Sequence, residues 1–121
     1  MNKRKVGSWY ETLACEYLKE SGAIILNRNF RARNGEIDII AKDGNYTCFI
    51  EVKYRKDEEY GGPEAAVNMS KQRQICRVSG YYLLKKGFSS DIAIRYDVVA
   101  ISGNEGTYKI KWHKNAFDYC L

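Results

Sequence analysis

Histidine and proline each occur once in this 121-residue chain, and no apolar run is long enough to cross a bilayer. The single His113 and four scattered cysteines, Cys15, Cys48, Cys76 and Cys120, contain no Cys-x-x-Cys and leave structural zinc almost without ligands. Neither Gly-x-x-x-x-Gly-Lys-Ser/Thr nor Gly-x-Gly-x-x-Gly is found, so a phosphate-cradling nucleotide loop is not expected. A Cys-His nucleophilic pair would have to draw His113 from the basic, aromatic segment Lys111-Trp112-His113-Lys114, where a surface or packing role is the simpler reading. The basic start Met1-Asn2-Lys3-Arg4-Lys5 is followed by Glu11 and Glu16 rather than by an apolar stretch, which does not suit a secretory signal. Cys15, Cys48 and Cys76 fall inside apolar patterns, as buried thiols in a reducing compartment would, and a cytoplasmic location is expected.

What is present is a basic chain that can bury a core. Twenty Lys and Arg against fifteen Asp and Glu give a net charge of +5 and a pI near 9.0, an excess that favours polyanionic partners. The length suits one domain over residues 1–121. Helical spacing from Val6 to Glu20 ends at Ser21-Gly22. Three strands follow, Ala23 to Phe30, Glu36 to Lys42 and Tyr46 to Tyr54, joined by short turns as an antiparallel meander. The stretch from Arg55 to Met69, with Gly61-Gly62 and Pro63, is the longest connection and a candidate cover for a substrate. Ser70 to Lys86 is helical again, and strands Ile92 to Ile101 and Thr107 to Trp112 form a hairpin across Gly103-Asn104-Glu105-Gly106. The expected order is α-β-β-β-α-β-β.

Chemistry concentrates in Gly35-Glu36-Ile37-Asp38 and Phe49-Ile50-Glu51-Val52-Lys53. Residues two apart in a strand share a face at a separation of about 6.6 Å, so Glu51 and Lys53 project together. A turn at Gly44-Asn45 would bring Asp38 beside Glu51 on that face. Two carboxylates suit a hard divalent cation such as magnesium, and an adjacent ammonium can orient water or offset charge developing on a phosphate. The competing reading is a solvated sheet face whose Glu51 and Lys53 form a surface ion pair. Glu36 shares the alternation with Asp38, so the pattern leaves open which acid is the ligand.

Other candidates flank these blocks. Glu11 borders the apolar stripe of the first helix, where a carboxylate needs a partner, although Ser8-Trp9-Tyr10-Glu11 also reads as a capping box. Lys71 and Arg73, at the start of the second helix, and Arg31 and Arg33, before Gly35, could meet phosphates. The row Arg73, Arg77, Tyr81 and Lys85 lies on one helix face and reads equally as a solvated side.

These residues resemble the YraN-like family of small bacterial proteins, placed in the PD-(D/E)xK nuclease superfamily. The likeness rests on Gly7 with Glu11 and Ala14; on residues 33–41 around Gly-Glu-Ile-Asp; on residues 49–55 around Glu-Val-Lys; and on Pro63 to Val67, Lys71, Tyr96 to Val99, and His113 with Asn115-Ala116-Phe117. It implies a restriction endonuclease-like core, with helices flanking a mixed sheet. It assigns metal binding to Asp38 and Glu51 and the catalytic lysine role to Lys53, and it matches Glu11 to the extra helix acid of resolvase-like members. The expected activity is a magnesium-dependent endonuclease, with manganese as substitute and the Val52 carbonyl as a further ligand, acting on DNA in repair or recombination. The proline that names the motif is absent before Asp38, and Gln72 and Gln74 lack the tyrosine four positions on that RecB-like exonucleases carry. Junction resolution would require a homodimer. The alternative is a non-catalytic nucleic-acid-binding or adaptor module that keeps the fold and works through a protein partner.

Overall fold

The computed structural model describes residues 3–55, 67–88, 91–104 and 106–120. The elements are α1 (Lys3–Glu20), β1 (Ile24–Ala32), β2 (Gly35–Asp43), β3 (Tyr46–Arg55), α2 (Met69–Lys86), β4 (Ile94–Ser102) and β5 (Lys109–Phe117). The order is the expected one, and the strands lie side by side as β1-β2-β3-β4-β5. The pairing of β3 with β4 is parallel and the other three pairings are antiparallel, giving a mixed sheet. Parallel neighbours need a crossover, and α2 lies within it. Of the long connection expected from Arg55 to Met69, Arg55 belongs to β3 and Met69 to α2, and residues 56–66, Gly61, Gly62 and Pro63 among them, lie outside the described residues.

Each helix covers one face. Ala14, Cys15 and Leu18 of α1 pack with Ile39, Ala41, Cys48, Ile50, Val99 and Ile101. Ile75, Cys76, Val78 and Tyr82 of α2 pack with Ile40, Phe49, Tyr96, Val98 and Phe117 on the other face. Adjacent residues Phe49 and Ile50 therefore serve opposite cores, which is why β3 reads as a continuous apolar run. Asn68 caps α2 by accepting the Lys71 N–H at 2.9 Å, and Gly87, at φ 72°, ends it in the left-handed conformation.

The largest differences from the expected boundaries are at the start of α1 and the end of β5. α1 begins at Lys3, so Ser8 sits inside the helix and the capping-box reading of Ser8 and Glu11 fails; the Ser8 carbonyl instead accepts from Thr12 Oγ1 at 3.0 Å. β5 runs on past Trp112 to Phe117 because a bulge absorbs Asn115, whose φ is 55°. Buried Asp97 fixes that bulge: its Oδ1 accepts from the Asn115 N–H at 2.8 Å and its Oδ2 from Trp112 Nε1 at 2.9 Å. Arg95 adds two bonds of 2.9 Å to Asp97, while its guanidinium lies between the rings of Tyr46 and Trp112. Asp97→Ala would leave Arg95, Trp112 Nε1 and the Asn115 N–H without this acceptor, and a loss of about 3 kcal/mol is expected in a urea melt.

Candidate metal and phosphate site

The site forms where strand alternation breaks. Arg28 pairs with Ile39 and Phe30 with Ile37, which places Asn29 opposite Asp38, and Asn29 has a φ of 52°. Across this point both strands change face. Arg28 reaches α1, donating to Thr12 Oγ1 at 3.1 Å, whereas Phe30 packs edge-on against Tyr82 of α2 at 5.1 Å. Ile39 belongs to the α1 core and Ile37 to the α2 core, although the two are only two residues apart.

Asp38, at the turnover, is aimed neither squarely up nor down but toward β3. The ladder between β2 and β3 runs from Asp43↔Tyr46 to Ile39↔Ile50, and beyond it Asp38 Oδ2 accepts the Val52 N–H at 2.9 Å. This opening between the strands sets the Asp38 carboxylate beside Glu51, near enough for the charge of each to act on the other. The two acids of Gly-Glu-Ile-Asp differ in environment: Asp38 is buried, while Glu36 is half-exposed and paired with Arg31 at 3.1 Å.

Burial and proximity set the protonation of the pair. Burial raises the Glu51 pKa from an ordinary 4.5 to about 8, the Asp38 charge adds to the rise, and Lys71 and Lys53 oppose it. Asp38 is also raised by burial, but the Val52 N–H and Lys71 favour its charged form. Of the two acids, Glu51 is the one pushed furthest toward its protonated form. Glu11 approaches from α1; burial and then Asp38 raise its pKa, against the Asn29 side chain and Arg28. One oxygen of each glutamate, Glu11 Oε1 and Glu51 Oε2, is buried with no hydrogen-bond partner.

The cations arrive from two elements. Lys53 Nζ lies 3.9 Å from Glu51 Oε1, with a half-exposed side chain, so the pair is not the fully solvated one that a plain surface face would carry. Lys71 acts on both carboxyl groups, and its Nζ donates to Gln74 Oε1 at 3.0 Å. Gln74 fits only because Gly35 has no side chain: a Cβ there would stand 2.4 Å from Gln74 Cγ. Gly35 thus lets α2 approach β2 and brings Lys71 toward the acids.

Asp38, Glu51, Lys53, Glu11 and Lys71 accordingly converge, and Val52 supplies the backbone between Glu51 and Lys53. Arg31, Arg33 and Arg73 are exposed, with Arg31 committed to Glu36, and Arg77, Tyr81 and Lys85 complete an exposed row with Arg73. Among the described residues no group of three or more His, Cys, Asp and Glu gathers at metal-ligand spacing. The acids form a close pair with Glu11 at its margin. That donor set is still suited to magnesium, which keeps several waters and takes one or two carboxylates. A hard cation bound there would satisfy the partnerless Glu51 Oε2. Sequence reasoning missed Asn29 and Gln74; an asparagine within a strand, a residue type that tolerates positive φ, was the available signal for the first.

Fold and site together define a mixed α/β protein with a buried, lysine-flanked carboxyl pair at a strand fork. The chain belongs to the family described as "Uncharacterised protein family UPF0102", whose model matches residues 10–101. A UPF0102 protein of Clostridium botulinum (strain 657 / Type Ba4) is 47% identical over 116 residues, 94% of each chain. Another, from Lachnoclostridium phytofermentans, is 46% identical over 118 residues, covering 98% of this chain and 97% of the relative. Among the described residues no helix is long and apolar enough to cross a membrane.

Proposed function

We infer that this chain is a metal-dependent endonuclease of the PD-(D/E)xK superfamily that hydrolyses DNA phosphodiester bonds in repair or recombination, with branched or flapped DNA among its substrates. The observation that carries this reading is the buried Asp38 and Glu51 pair with Glu51 Oε2 unsatisfied and Lys53 at 3.9 Å from the other oxygen. Burying such a pair costs stability, and a structural role would be served better by apolar residues. Asp38 and Glu51 would hold magnesium, or manganese in its place, with the Val52 carbonyl and Glu11 completing the set. A bound divalent cation would acidify a water and offset charge on the phosphate. Lys53 orients the attacking water, and Lys71 holds a phosphate oxygen once a cation has taken over the charge of the acids. Four free thiols support a cytoplasmic location.

Plasmid, single-stranded and branched DNA incubated with magnesium or manganese should be cut, and chelation should stop the reaction. The adaptor reading is favoured by the lack of a third close ligand among the described residues. It predicts salt-dependent DNA binding with no cleavage under any of these conditions.

A further inference from the structure

The face of the sheet that α2 covers is apolar only in part. Its core ends at Val98, and beyond it the register of three strands lays out charge. Glu51 pairs with Val98, which pairs with His113; Lys53 pairs with Ala100, which pairs with Lys111; Arg55 pairs with Ser102, which pairs with Lys109. Paired residues share a face, and the intervening Tyr54, Ile101, Ile110 and Trp112 all pack on the α1 side. The result is two basic rims, one on β3 and one on β5, either side of a low floor of small β4 residues. Neighbouring strands are about 4.8 Å apart, so the rims stand roughly 10 Å from each other.

We propose that this strip is a track for one phosphodiester strand of a nucleic acid, laid along β4 and leading to the Asp38 and Glu51 pair. It rests on the nuclease reading for its direction, but its occupant is argued from charge and width. Lys109 and Lys111 are exposed on an edge strand, and the cations of each rim recur every second residue, about every 6.6 Å. A polyanionic strand lying between them meets positive charge on both sides and reaches Lys53, which belongs both to the rim and to the site. The backbones of B-form DNA flank a major groove about 12 Å wide, broader than the rim spacing, so the track takes one backbone at a time. Arg77 and Lys85, from the row the sequence singles out, are on the exposed side of α2.

The test is the salt dependence of binding, measured in chelator so that no cleavage intervenes. Fluorescence anisotropy with a labelled single-stranded oligothymidylate is followed for wild type, Lys109→Glu/Lys111→Glu and Arg77→Glu/Lys85→Glu. The β5 variant should bind roughly tenfold or more weakly in low salt, with its salt slope reduced by about 1.4 for two lost contacts. The α2 variant should bind as wild type does. Lys109→Ala/Lys111→Ala, with an unchanged melting temperature, should show a smaller loss in the same direction. Equal binding by wild type and both β5 variants, a loss confined to the α2 variant, or no binding by wild type would overturn the track. Cleavage retained alongside unaltered β5-variant binding would overturn the track while leaving the nuclease reading intact; competition by acidic polypeptide but not by oligonucleotide would assign the strip to a protein partner instead.

Discussion

Lys53→Ala and Asp38→Asn are each expected to lower metal-dependent DNA cleavage by roughly a thousandfold while the protein stays folded. The two losses have different origins. Lys53 is half-exposed and pairs with Glu51 at the site, so its removal deletes charge without opening the core. Asn at position 38 can still accept the Val52 N–H through its amide oxygen, which preserves the strand fork, but it removes the negative charge a cation needs. Glu36→Gln is the informative control, because Glu36 differs from Asp38 by two positions yet commits its carboxylate to Arg31. It should cleave at the wild-type rate. Rates from single-turnover plasmid nicking, with circular dichroism on each variant, decide this.

Glu51→Gln should stabilise the metal-free protein at alkaline pH and leave it unchanged near pH 4. The folded protein holds the Glu51 proton up to about pH 8, whereas the unfolded chain releases it near 4.5. Between those values the folded state binds more protons than the unfolded state, so stability falls as pH rises, and the penalty is complete above about 8. One bound proton changes stability by about 1.4 kcal/mol for each pH unit crossed, which makes the whole window worth on the order of 5 kcal/mol. Glutamine has nearly the shape of protonated Glu51 but never ionises, so its stability should stay flat where that of wild type declines. Urea melts in chelator at about pH 4.5, 6 and 8.5 would show the divergence; parallel curves would mean that Glu51 is ionised at an ordinary pH and is not buried against Asp38.

The elements and their order were legible because periodicity is strong: α1, α2 and all five strands lie where apolar spacing and turn residues indicate. Ends were less so. The extension of β5 to Phe117 depends on Asp97 holding the Asn115 bulge, a contact between residues 18 positions apart that no local pattern reports. The site was legible in composition but not in orientation. Alternation puts Glu36 and Asp38 on one face, and only the positive φ of Asn29 on the neighbouring strand explains why Asp38 is turned toward β3. Lys111 was legible only as part of a basic, aromatic segment and Lys109 not at all, since their place beside Lys53 follows from the parallel register of β3 on β4 and the pairing of β4 with β5.

The central claim, that Asp38 and Glu51 form one divalent-cation site, is tested most directly by calorimetric titration of the metal-free protein with manganese at about pH 7 in two buffers of different ionisation enthalpy. One site is expected, with release of about one proton per manganese as Glu51 gives up the proton it holds below about pH 8, and with much weaker binding in Asp38→Asn. No binding, or binding that Asp38→Asn leaves as tight and as proton-coupled as in wild type, would contradict it.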